Sequence, residues 1–142
     1  GFIGEPPMNT VHCRVRLDDG QLAFTWSGDG QTALRFDLEQ VGEATRKSLA
    51  RYSGREIVLG VRPQRLKIGP PQPATARASL PGKLLVHEFL GKHGISQVEV
   101  GSLVMEVVSP PDIPFKTDEP VSLAMDIEDL HFFDAETTNR IV

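Results

Sequence analysis

Four histidines, one cysteine and several adjacent carboxylates are the side chains in this sequence best suited to chemistry. The histidines are His12, His87, His93 and His131. A metal centre needs three or four ligands that converge in space. No two of these histidines stand at i, i+4, and none lies in a Cys/His cluster. His12 and Cys13 are neighbours in an alternating segment, so they project to opposite faces and cannot chelate together. The expectation is exposed or hydrogen-bonded structural histidines and no metal. Asp18-Asp19 and Glu128-Asp129 fall in turns, where short acidic side chains serve the backbone. Nothing else supports a glycosidase-type pair. There is no phosphate-cradling G-x-x-x-x-G-K-[ST], and "GDGQTALRF" reads as a hairpin turn rather than a dinucleotide fingerprint. No G-x-S-x-G elbow is present. The expected inventory is therefore empty: no catalytic, cofactor-binding or metal residue.

Charge offers binding instead. Arg14 and Arg16 share a strand face, but no aromatic accompanies them, while Phe24, Trp26 and Phe36 alternate inward. With a net charge of −4, this argues against a nucleic-acid partner. Arg62 and Arg65 present forked donors for an anion or a partner. The stretch 46–67 holds seven basic residues and one acid, and 112–142 holds eight acids and two bases. Either these faces meet, within one chain or across a dimer, or they are two solvated surfaces.

The elements that must position these residues read as strands. Val11 to Leu17, Leu22 to Trp26 and Leu34 to Leu38 alternate apolar and polar residues, with "DDG" and "SGDG" turning between them. That is an antiparallel meander. Glu43 to Tyr52 fits one short helix, stopped by Gly54. Glu56 to Val61 reads as a buried strand, ended by Arg62-Pro63. Leu66 to Ile68 resumes briefly. The proline-rich 69–82 reads as a linker. Beyond it, Lys83 to Leu90, Ile95 to Val100, Ser102 to Val108 and two strands within Glu119 to Asp134 follow. The fold class expected is all-β, built as small barrels or a sandwich. In 142 residues, 39% are apolar and 24% charged, which suits about one domain or two very small ones sharing a core. No apolar run reaches 18 residues. The first residues lack a secretory pattern, and the lone Cys13 reads as a reduced cytosolic thiol.

A repeat lies under this pattern. "IVLGVRPQRLKI" (Ile57 to Ile68) aligns at constant offset with "VSLAMDIEDLHF" (Val121 to Phe132). Ile57 matches Val121, Leu59 matches Leu123, Leu66 matches Leu130 and Ile68 matches Phe132. Each copy is a strand, a polar turn and a short strand, and each follows a meander. Two copies of one β unit is the economical reading.

Three segments carry a resemblance to a known family. "FIGEPPMN" (Phe2 to Asn9) resembles the F-I-G-S-P-P-M-N joint of ATP-binding subunits of ABC importers for sugars and glycerol phosphate. "REIVLGVRPQRL" is similar to the G-I-R-P-E-H-L segment of their C-terminal regulatory region. "EDLHFFDAETTNRI" resembles its closing L-H-L-F-D-x-E-T-G-x-R-I. Glu5, Gln64 and Thr138 depart from the usual Ser, Glu and Gly. The resemblance implies two small oligonucleotide/oligosaccharide-binding (OB)-type barrels of the transport-associated kind, with at most one short helix. It implies a joint at 1–10 from a missing ATPase domain, in which Phe2, Ile3, Gly4, Pro7, Met8 and Asn9 make contact. A first unit at 11–68, the linker at 69–82, a second unit at 83–134 and a tail at 135–142 would follow, with strands exchangeable between lobes. Asn9 is expected to cap the turn into the first strand. The implied role is non-catalytic regulation and dimerisation. ATP and Mg would bind the absent ATPase domain. Partners would be a second copy, the chain's own ATPase domain, permease subunits and a regulatory protein or small effector, at the inner face of the cell membrane. A free-standing small-ligand or oxyanion-binding barrel is the alternative, and a nucleic-acid-binding OB fold stands behind it.

Overall fold

The computed structural model describes residues 6–142. Ten strands and one α-helix form two five-stranded antiparallel sheets among those residues. The strands are β1 (Asn9–Asp18), β2 (Gln21–Trp26), β3 (Ala33–Asp37), β4 (Glu56–Val61) and β5 (Lys67–Gly69), then β6 (Ser79–Phe89), β7 (Gly94–Val100), β8 (Leu103–Ser109), β9 (Pro120–Ala124) and β10 (Leu130–Asp134). The helix α1 spans Glu43–Ala50 and buries Leu49. The first sheet runs β10-β4-β1-β2-β3 and the second β5-β9-β6-β7-β8. The chain is all-β with two OB-like lobes, as the alternation and the resemblance both indicated.

Alternation sets each strand's faces. In β1, Cys13 and Val15 are buried while His12, Arg14 and Arg16 are exposed; β2 buries Leu22, Phe24 and Trp26. Asp18 pairs with Gln21 across the two-residue loop Asp19-Gly20. Both loop residues have positive φ, 50° and 75°, which matches the right-handed twist of the strands they join. The proline-rich stretch is shorter than expected. Strand β6 begins at Ser79 and takes in Pro81 and Gly82. Pro81 lies where β6 pairs with β9 alone, before β7 joins at Lys83. A residue without an N–H is tolerated where only one ladder runs.

The two sheets are copies of one plan with their last strands traded. Strand β10, from the chain's end, pairs with β4 through Phe132↔Leu59. Strand β5, from the first half, pairs with β9 through Ile68↔Leu123. One displacement along the chain separates Leu59 from Leu123 and Ile68 from Phe132, so a single pseudo-two-fold operation maps each exchanged pair onto the other. The polar turns of the repeat are matching single turns of 3-10 helix, Pro63–Arg65 and Ile127–Asp129. Each buries its first residue, Pro63 or Ile127.

One continuous core joins the halves. Phe132 stacks on Phe24, with centroids 5.5 Å apart, and Phe24 meets Phe36 edge-on at 6.4 Å. Trp26 Nε1 donates to Val100 O at 3.2 Å, tying β2 to β7 inside the core. At the far end of the pseudo-axis the two equivalent hairpin turns touch. Asp29 Oδ2 accepts Thr32 Oγ1 at 2.6 Å and the Ser102 N–H at 3.1 Å. Gly101 there has φ 60°, and a Cβ on it would collide with Thr32 and Asp29.

Candidate functional site

The joint leads directly into β1. Phe2, Ile3 and Gly4 lie outside the described residues. Pro7 is exposed and Met8 half-buried. The Met8 sulfur lies over bare Gly60 beside the Phe133 ring; a Cβ at Gly60 would come within 2.5 Å of it. Asn9 does not cap a turn. It is already the first residue of β1, and its side chain reaches across to β8. Asn9 Nδ2 donates to Glu106 O at 2.9 Å, and Asn9 Oδ1 accepts the Glu106 N–H at 2.9 Å. A carboxamide offers one donor and one acceptor side by side, as a backbone peptide does. Asn9 thus stands in for a strand partner at the free edge of β8 and pins the joint to the second sheet.

The closing segment folds back on the joint's neighbours. Arg140 bridges to Phe133, with its guanidinium 5.1 Å from that ring, and donates to His131 Nδ1 at 2.8 Å. Burial first, then the Arg140 and Arg62 charges, holds His131 below its ordinary pKa, so the neutral ring, whose Nδ1 lone pair accepts from Arg140, is favoured. Asp134 accepts the Thr137 and Glu136 N–H groups at 2.9 Å each. Tyr52 donates its hydroxyl to Asp134 Oδ2 at 2.8 Å. These bonds, that from Thr137 foremost, hold the Asp134 carboxyl down at about 2. Tyr52 is raised by the same contact.

Arg62 and Arg65 go to different places. Arg65 lines an open cavity of about 530 Å³ between the 3-10 turns, β5, β9 and the 70–79 segment. Its Nε lies 3.7 Å from Asp129 Oδ1. These two residues are equivalents in the repeat, so the pair straddles the pseudo-axis. Here the basic and acidic stretches meet within one chain. Lys67 and Arg77 also line the cavity, as do Asp126 and Asp129, so three cations face two anions. Arg62 does not line it; its charge acts on His131 instead.

Two of the other histidines, His12 and His87, are engaged locally. His12 Nδ1 lies 3.2 Å from Glu56 Oε2. His87 bonds the Ser96 hydroxyl through Nδ1 and the Pro111 carbonyl through Nε2, both at 2.8 Å. A serine–histidine pair of this length invites a nucleophile reading. Ser96 is fully buried, however, and its hydroxyl lies 3.3 Å from Ser109 Oγ, so the network fastens the Ser109–Pro111 exit of β8. Sequence reasoning missed it because the partners sit on three different segments. Cys13 is buried, and burial pushes its thiol up to about 12.

Two family models together match residues 4–133. A MalK OB fold domain model matches residues 4–66, and a TOBE domain model matches residues 59–133. The chain belongs to the TOBE domain family. Relatives of this TOBE chain include the sn-glycerol-3-phosphate import ATP-binding protein UgpC of Burkholderia lata, 36% identical over 141 residues. The trehalose/maltose import ATP-binding protein MalK of Thermococcus litoralis is 30% identical over 148 residues. In both, 99% of this chain aligns with about a third of the relative, 35% and 36% of its length. The chain corresponds to the C-terminal OB/TOBE region of such sugar-importer subunits. Among solved structures, the molybdate-bound form of the cytoplasmic molybdate-binding protein ModG matches with a TM-score of 0.59 at 14% identity, over 87% of this chain and 94% of that one. At that identity the likeness is one of fold.

Proposed function

We propose that this chain is the regulatory and dimerisation domain of an importer ATP-binding subunit and turns over no nucleotide by itself. The observation that carries this is the joint. Met8 and Asn9 do not trail away from the domain but are fastened to it, Met8 over Gly60 and Asn9 on the β8 edge. A segment entering the fold so firmly fits a domain that takes up or steadies the motion of whatever precedes it. ATP and Mg belong, on this reading, to the ATPase domain of the whole subunit. The permease subunits and the inner face of the membrane are reached through that assembly. A second copy of the domain is the proposed direct partner. Arg62, exposed beside the closing segment, is the basic residue proposed for partner contact.

Light scattering on the eluted chain at micromolar concentration, together with a nucleotide-turnover assay, tests this reading. A dimer without turnover above a buffer blank is expected. A strict monomer overturns the dimerisation role, and turnover overturns the non-catalytic one.

The alternative, an oxyanion-binding module built on Arg65, gains little from the cavity. Asp129 sits against Arg65, and Asp126 shares the lining.

A further inference from the structure

The outer face of the first sheet carries a set of cations that the regulatory reading leaves unused. Arg14 and Arg16 project outward from β1 and are exposed. The cross-strand rows place small residues beside them: Arg14 pairs with Thr25, and Arg16 with Ala23. Ala23 in turn pairs with Arg35 on β3. Arg16 and Arg35 therefore flank a methyl group on one face, two strand spacings or about 10 Å apart. An open cavity of about 440 Å³ lies on this face, lined by Arg14, Arg16, Thr25, Ser27, Gly30 and Glu56 together with Trp26. Pockets of this size hold small molecules.

The charges there are only partly compensated. Among the described residues, neither Arg16 nor Arg35 makes an ion pair. Arg14 gives one N–H to the Gly54 carbonyl. Glu56 is the single carboxylate in the lining, and it is already shared. Ser27 Oγ donates to it at 2.9 Å and His12 lies at 3.2 Å. Those two neighbours, Ser27 first, hold its carboxyl below the ordinary range. One row further along, Asp37 is held by Arg77 at 3.0 Å, and Asp18 stands exposed at the end of β1. The cavity end of the face is thus net positive, with Thr25 in the lining beside two forked donors.

We propose that this face binds a small phosphate monoester, with Arg14 and Arg16 forking onto the phosphate oxygens and Arg35 adding charge from across Ala23. Guanidinium pairs match tetrahedral oxyanions bidentately. The aromatics of β1–β3, namely Phe24, Trp26 and Phe36, are all buried. No ring is left on these strands for a nucleobase to stack on, so a single-stranded nucleic acid does not fit. The site is separate from Arg62, Arg65 and the joint, and its failure would leave the dimerisation reading untouched.

Calorimetric titration of the chain with methyl phosphate, inorganic phosphate and chloride in low salt tests the proposal. Methyl phosphate is expected to bind, inorganic phosphate to compete with it, and chloride to do neither. Arg16→Gln should weaken binding about tenfold or more, the scale of removing one charge-assisted hydrogen bond. Arg65→Gln should leave it unchanged. Both positions are exposed, so circular dichroism should confirm that the variants fold. Three results would overturn the site: no heat with either methyl phosphate or inorganic phosphate, equal response to chloride, or binding that survives an Arg14→Gln/Arg16→Gln double variant. Tight binding of inorganic phosphate with none of the monoester would replace the proposed ligand by the free ion.

Discussion

Thr138 stands where the resembled family motif carries glycine, and the backbone there has φ 64°. That left-handed conformation is strained for a β-branched residue. Thr138→Gly is expected to raise stability by about 0.5–1 kcal/mol, the relief of strain exceeding the added freedom of the unfolded chain. A urea titration followed by Trp26 fluorescence checks this, and a lower midpoint would contradict it. Four positions away, Asp134 gives the fold an acid limit. Its carboxyl drops from an ordinary 3.8 to about 2 on folding, so the charged form is preferred in the native state. The stability it contributes is complete above pH 4 and is lost as pH falls from about 4 toward 2. Asp134→Asn should flatten part of that acid slope and leave the slope above pH 5 unchanged. Midpoints measured in urea at several pH values would show it.

At the scale of elements, the alternation of Val11 to Leu17 and its neighbours was enough to place β1, β2 and β3, because one buried face imposes period two. Glu56 to Val61 was legible for its unbroken apolar run. The extent of β6 was not. Pro81 and Gly82 are read as breakers, and only the absence of a second partner strand at that point makes them tolerable. The pairing of Asn9 with Glu106 was equally hidden, since nothing local to Asn9 points to a strand nearly a hundred residues away. The trading of β5 and β10 was allowed by the repeat but not dictated by it, because an apolar strand does not announce which sheet it joins. It has a measurable consequence. Phe132 belongs to the second half by sequence but stacks on Phe24 in the first. Phe132→Ala should cost about 3–5 kcal/mol and lower the transition seen by Trp26, the single tryptophan. An unchanged transition would mean that β10 is not part of the first lobe's core.

Across the whole molecule the halves share one core, the Trp26–Val100 bond, the Arg65–Asp129 pair and the Asp29–Ser102 hydrogen bond. Such a structure should unfold as one unit. Gly101→Ala tests the coupling at its tightest point. A Cβ there meets Thr32 and Asp29, and the positive φ adds strain. The expected cost is about 2 kcal/mol or more. Tryptophan fluorescence from the first half and far-ultraviolet dichroism from both should still move together. A split into two transitions would mean that the halves are independent.

Traded strands also set an order of events at the ribosome. Strand β4 finds its outer partner only in β10, which is synthesised after all the other described strands. Until those residues emerge, the nascent first lobe carries an unpaired apolar edge, with the face of Phe24 that meets Phe132 uncovered. Folding of this lobe should therefore wait until β10 has left the ribosome. A message truncated before Leu130 would release a chain that chaperones and proteases recognise, however complete the strands before it are.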